Sequence, residues 1–357
     1  MWLEPREHVS VAVRVLAPVA AVVASLALCA VLIAWTGTGV IQAYGLLFQG
    51  ALGSQFALAE TLTRATPLML TGLAVAVAFR AKLWNIGAEG QLYAGALVAV
   101  LLGSGPLELP AWALLPVVLV AGALAGSVLL IGPTVLKTRF GVDEVVTTLL
   151  LNFIVLLFVS MMLEGPLKDP MGMGWPQSAP VLPEAELPKL IERSRLHWGL
   201  VLGVVASVVL WVINTRTVWG YEIKAVGANP RAAGFAGIAV NGVMLRVAML
   251  SGGLAGLAGA VEIAGLRGYL TLDLSPGFGY SGIVVAMLAQ LHPLAVVAAS
   301  MFVAGIFVGA DAMSRSVAVP NYIADVLVAV SLLCMLVAGF LVRYRIRWSG
   351  ARAGRGN

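Results

Sequence analysis

Charge is what this chain lacks most. Lys, Arg, Asp and Glu make up 11% of its 357 residues, where a soluble domain carries about a quarter. That scarcity excludes an ordinary soluble fold, because no enlarged core accounts for 60% hydrophobic residues and a mean hydropathy of +0.97. Histidine and cysteine are nearly as rare, at three and two residues, which argues against a His- or Cys-built metal centre. Cys29 and Cys334 both fall in apolar runs and read as small core residues. Catalytic signatures are missing too: the chain contains no GxxxxGK[ST], no HExxH, no cysteine pair at metal spacing and no GxSxG. Nothing in it argues for an enzyme.

What is present is a series of long apolar runs, at about 16–36, 58–79, 88–104, 111–132, 144–163, 198–213, 243–264, 281–309 and 322–342. Each is near the length of about 20 residues that a bilayer asks of a helix. Helices satisfy their own backbone in lipid, and the runs lack the short alternation of a β-barrel. The expected fold class is an all-α polytopic membrane protein. In the run containing LALCA, Leu28 precedes Cys29 where a lipoprotein signal needs a small residue, so the first segment reads as an uncleaved span.

The net charge of +5 comes from basic residues scattered through short loops and concentrated in the tail RYRIRWSGARAGRGN. This pattern speaks of membrane orientation rather than nucleic acid. Arg6 and Arg14, Arg80 and Lys82, Lys137 and Arg139, and Arg216, Lys224 and Arg231 fall on one side if residues 1–15 start in the cytoplasm. The loops at 37–57 and 105–111, without Lys or Arg, then face outward. Nine spans would leave the basic tail 343–357 outside. His292-Pro293 interrupts the 29-residue run 281–309, and a proline disfavours helix at the residue before it. Splitting the run there gives about ten passes and two cytoplasmic termini.

Two connections are long. The outer loop 164–197 holds six prolines and five acids (Glu164, Asp169, Glu184, Glu186, Glu192) and is too polar to insert. The inner segment 214–242 has a short helical candidate bounded by glycines and by Asn229-Pro230.

Polar residues cluster twice inside apolar sequence. NIGAEGQ (85–91) precedes YAGALVA (93–99), and SPGFGYSG (275–282) overlaps YSGIVVA (280–286). GVDEVVTTLL (141–150) and VPNYIADVLV (319–328) continue the likeness, so the halves read as an inverted repeat, its first break on the cytoplasmic side and its second outside. Paired, Gly-interrupted apolar segments are the sequence mark of a transport pathway. Broken helices free backbone groups that only protein or a watery cavity can satisfy. Asn85, Glu89, Gln91, Tyr93, Phe278 and Tyr280 are the candidate pathway residues, with Trp84 as a further aromatic. Glu89 has two readings, solute contact or a cap on its own helix, where the dipole favours a carboxylate. Asp143 and Glu144 read first as caps, and Asn321 and Tyr322 as their counterparts. Glu262 and Arg267 either pair or lie at the interface.

Three classes stay open on these grounds: a component of an ATP-driven transporter, an ion-coupled secondary transporter, or an intramembrane enzyme. Secondary transporters carry several acids in mid-span, whereas most acids here sit at span edges. Beyond this, RATPLMLTGLAVAVAFRAKLWNIGAEGQLYAGAL, VDEVVTTLLLNFI and GYEIKAVGANPRAAGFAGI closely resemble the permeases of bacterial ABC importers in the branched-chain amino acid/simple-sugar group. The likeness is greatest to the longer permease of nucleoside (guanosine-type) systems and covers roughly residues 40–345.

The resemblance implies a single permease domain in the bacterial plasma (inner) membrane and no cofactor in this chain. Its implied partners are a cytoplasmic ABC ATPase that carries ATP-Mg, a second, shorter permease and an extracytoplasmic solute-binding lipoprotein. It also implies that 220–238 docks on the ATPase, through Gly227, Asn229, Ala232, Ala233 and Gly237, and that loop 164–197 faces the binding protein. A nucleoside is the implied solute, with simple sugars or branched-chain amino acids as alternatives.

Overall fold

The computed structural model describes residues 2–5, 11–35, 37–105, 109–317 and 322–347. Asn321 and the tail beyond Arg347 lie outside the described residues. Two compact units divide the chain, Met1–Gly50 with Gly309–Asn357, and Ala51–Val308.

In the first unit, α1 (Val11–Trp35) packs along α13 (Tyr322–Arg343). Strands β1 (Trp2–Pro5) and β2 (Tyr344–Arg347) pair antiparallel, Trp2 opposite Arg347. The stretch 37–57, read from the sequence as an outer loop, instead contains α2 (Val40–Leu52), which sits at 117° to α1. Its 13 residues include Gln42, Tyr44 and Gln49 and are too few for a span, so a hydropathy reading passes over them. Gly309 of α12 (Pro293–Ser316) lies against the Leu47 carbonyl, where a Cβ would come within 2.3 Å.

The second unit contains α3 (Gln55–Arg80), α4 (Ala88–Gly103), α5 (Ala111–Phe140), α6 (Glu144–Glu164), α7 (Gly199–Arg216), α8 (Val218–Ala228), α9 (Pro230–Phe235), α10 (Val240–Glu262) and α11 (Phe278–Leu288). Burial runs continuously from Ala65 through Phe79 in α3, so this helix is central. Its threonines are therefore buried, and Thr63 and Thr71 donate to the carbonyls four residues earlier, at 2.8 and 2.9 Å. Such bonds let a hydroxyl sit inside an apolar bundle. α6 instead exposes Val146, Leu150, Phe153 and Leu157, at 52–72%. Their helical spacing makes one apolar stripe, as lipid on that side requires.

α10 packs against α5 and α4 backbone to backbone. A Cβ on Gly256 would lie 2.3 Å from the Gly122 carbonyl, and one on Gly259 would lie 1.9 Å from the Leu92 carbonyl. In lipid, helix association rests on van der Waals packing, which small residues permit.

Each apolar run of the sequence becomes a helix, and the run 281–309 divides into α11 and α12 around 289–292. Six helices among the described residues are long and apolar enough to cross a bilayer, or seven if α1 and α2 form one span. Ten full crossings are not established, because two of the runs become short helices. α4 has 16 residues and α11 has 11. At about 1.5 Å per residue they reach about 24 and 16 Å, against a hydrocarbon core of about 30 Å.

Candidate functional site

The two breaks meet. The first turns of α4 and α11 abut so closely that a Cβ on Gly279 would lie 2.2 Å from the Glu89 nitrogen. The Gly279 N–H donates to Glu89 Oε2 at 2.6 Å, and the Ser275 hydroxyl and Gly277 N–H lie within reach of the same carboxylate. Glu89 therefore caps a helix other than its own. Sequence spacing exposes only local caps, and this one joins positions 190 residues apart. The N-terminal end of α11 supplies unpaired N–H groups and a favourable dipole for an anion.

Around that contact the remaining candidates are bonded to protein. Asn85 and Gln91 form a reciprocal amide pair, Nδ2 to Oε1 and Nε2 to Oδ1, both at 2.9 Å. Asn85 Nδ2 also donates to Ser251 Oγ at 3.0 Å, and its Oδ1 accepts the Gly87 N–H at 2.9 Å. The Tyr93 hydroxyl donates to the Leu272 carbonyl and accepts the Ser275 N–H at 3.2 Å, which ties α4 to the loop before α11. The Phe278 ring is buried, and its carbonyl accepts from Thr71 Oγ1 at 3.0 Å. Asn85, Glu89, Gln91, Tyr93 and Phe278 are each at most 4% exposed, against 38% for Tyr280. Trp84 is 43% exposed and meets Phe79 edge-on. The junction is shut, with its polar groups turned on one another.

Asn152 was not singled out from the sequence. Fully buried in mid-α6, it accepts the Gly90 N–H at 2.8 Å, donates to the Ile86 carbonyl at 2.9 Å and reaches the Tyr280 hydroxyl at 3.1 Å. From outside both breaks, its side chain bonds each of them. An amide inside the apolar run LLLNFIVLL was the available signal, since a polar group there is costly unless it is bonded.

Asp143 caps α6 as expected, accepting the Val145 N–H at 2.7 Å. Glu144 does something else. It pairs with Lys137 and accepts the Trp84 N–H at 3.2 Å, while Lys137 donates to the Lys82 carbonyl at 2.9 Å. The pair thus holds the loop that opens the first break. Glu262 is buried at the end of α10, just before a π-turn over Ile263–Arg267, with Arg64 and Arg267 as its nearby cations.

The inner segment 214–242 forms two helices, α8 and α9, that join at Asn229. Its Oδ1 accepts the Arg231 and Ala232 N–H groups at 3.0 and 3.2 Å. Ala233 faces inward, whereas Ala232, Gly237 and Phe235 are exposed, Phe235 at 95%. Gly227 is buried against the end of α3. Arg246 of α10 pairs with Glu222 at 3.0 Å and lies over Trp219, bracing α8. On the other side, loop 164–197 is held by backbone bonds from Leu182 to the Gly103 carbonyl, Leu187 to Ala264 and Val181 to Gly268, at 2.7–2.8 Å. His197 at its end is fully buried, and desolvation pushes its imidazole down to about 4.

Half-helices whose ends meet inside an apolar bundle are the arrangement on which many membrane transporters build their substrate pathway. The family model of the branched-chain amino acid transport system permease component matches residues 57–336. The chain belongs to that family and is a permease component of a transport system. A glucose ABC transporter permease of Haloferax volcanii is 36% identical over 99% of this chain and 95% of its own. A guanosine ABC transporter permease of Bacillus subtilis is 34% identical over 93% and 95%. A nucleoside ABC transporter permease of Lactococcus lactis is 31% identical over 89% of each chain.

Proposed function

We propose that this chain is one permease subunit of an ABC importer that takes up a nucleoside, moving it between α4 and α11 by alternating access. The observation that carries the reading is the Glu89–Gly279 contact, where two half-helices meet and close a junction of buried polar groups. Opening it would expose the Asn85, Gln91 and Asn152 amides, suited to a ribose, beside Tyr93, Phe278 and Tyr280, suited to a base.

Energy would come from a separate ATPase holding ATP-Mg, docked on the exposed face of α8 and α9. A second, shorter permease and an extracytoplasmic solute-binding lipoprotein complete the proposed assembly. The guanosine permease of B. subtilis and the nucleoside permease of L. lactis support the solute. The glucose relative supports a hexose as the second reading. Pairing of β1 with β2 brings the chain's two ends together, which supports an even number of crossings. The basic loops support placing both ends in the cytoplasm, with the protein in the plasma membrane.

The test is uptake of labelled guanosine, adenosine, glucose and leucine by cells with and without this chain. Selective loss of nucleoside uptake, restored by re-expression, supports the reading. Selective loss of glucose or leucine uptake replaces the solute and keeps the importer.

A further inference from the structure

Arg80 is the last residue of α3 and touches three parts of the proposed machinery. Its backbone carbonyl meets α8, where a Cβ added to Gly227 would lie 2.1 Å away. Its main chain runs directly into the first break, through Ala81 and Lys82. Its guanidinium Nη2 donates to the Leu291 carbonyl at 3.1 Å, in the turn that joins α11 to α12.

Both turns are of an unusual kind. Lys82 has φ +57°, and Gln290 and Leu291 have φ +50° and +59°. Non-glycine residues in this region are uncommon and persist where their surroundings over-determine them. Each turn is held by a cation on a carbonyl, Lys137 on Lys82 at 2.9 Å and Arg80 on Leu291. Carbonyls at a helix C-terminus favour such a partner. A structural cap would need only the guanidinium. The backbone contact with α8 gives Arg80 its second role, because Gly227 leaves no gap in which α8 could move without the end of α3.

We propose that Arg80 is the positioning residue that relays movement of the cytoplasmic α8–α9 segment to both breaks. The main chain carries it to 81–87, and the guanidinium carries it to α11. This rests on the importer reading above. The two branches separate experimentally, because Arg80→Ala removes only the guanidinium, whereas Gly227→Leu disturbs the backbone contact that feeds both.

The experiment uses the complete importer in proteoliposomes, with Cys29 and Cys334 replaced by Ser. One reporter thiol is introduced at a time, as Trp84→Cys for the first break or Leu272→Cys for the second, both positions being partly exposed. The readout is the labelling rate by a small maleimide, with and without ATP and vanadate. With Arg80 in place, nucleotide is expected to change each rate by about fivefold or more, the lower range of measured couplings between sites. Arg80→Ala should retain the response at residue 84 and abolish it at 272, and Arg80→Lys, which can still donate to Leu291, should restore part of it. Gly227→Leu should abolish both while the ATPase still co-purifies. An unchanged response at 272 in Arg80→Ala overturns the relay, and so does an equal loss at both reporters, which marks a general stabilising cap. No nucleotide response at either reporter with Arg80 present overturns the importer reading, and the relay with it.

Discussion

Replacing Glu89 by Ala should loosen the junction of α4 and α11 without dismantling the bundle. The carboxylate accepts the buried Gly279 N–H at 2.6 Å. A hydrogen bond to a charged group is worth about 1.5–3 kcal/mol, and a buried donor left unpaired costs about 1–3 kcal/mol. The desolvation of the carboxylate itself opposes part of this gain, so a net loss of about 2–3 kcal/mol is expected locally. At about 1.4 kcal/mol per tenfold, the junction should open roughly 30- to 150-fold more often. Glu89→Gln keeps an accepting oxygen and loses the charge, so its effect should be nearer fivefold, or about 1 kcal/mol. Amide hydrogen exchange across residues 275–285 of the purified protein reads that opening directly, because protection reports local opening free energy. Uptake should fall in parallel while assembly persists. Exchange within about twofold of the unmodified protein in Glu89→Ala would refute the argument that this carboxylate holds the second break.

Two further outcomes follow from the same geometry. Asn85→Ala should cost about 1–3 kcal/mol by leaving the buried Gln91 amide without its partner, and Gln91→Ala should cost less, because Asn85 keeps Ser251 and the Gly87 N–H. The double variant should cost clearly less than the sum, as a thermal-unfolding double-mutant cycle would record. His197 has a native pKa of about 4 against an ordinary value of about 6.5. The unfolded chain therefore binds a proton below pH 6.5 that the native chain refuses until about pH 4. The stability gained from this residue is complete above pH 6.5 and declines by roughly 3 kcal/mol between pH 6.5 and 4. His197→Asn can still accept the Gly199 N–H that Nδ1 accepts at 3.1 Å, so it should flatten melting temperature against pH over that window. An equal slope in both proteins would assign the acid sensitivity elsewhere.

The sequence determined the helical membrane fold, the place of each apolar run and the two interruptions. Bilayer thickness, backbone satisfaction and the conformational bias of glycine and proline act locally and leave local marks. The split before Pro293 and the cap at Asp143 were legible for that reason, whereas α2 was too short and too mixed in polarity to register. Tertiary structure alone decided that the two breaks share one junction, that Glu89 caps the distant α11, that Glu144 leaves its helix end for Lys137, and that Asn152 bridges both breaks. Each depends on which carbonyl or N–H a buried polar group meets after the helices pack. Sequence can flag the need for such a partner, because a lone polar group in an apolar run is costly, but only packing selects which partner it finds.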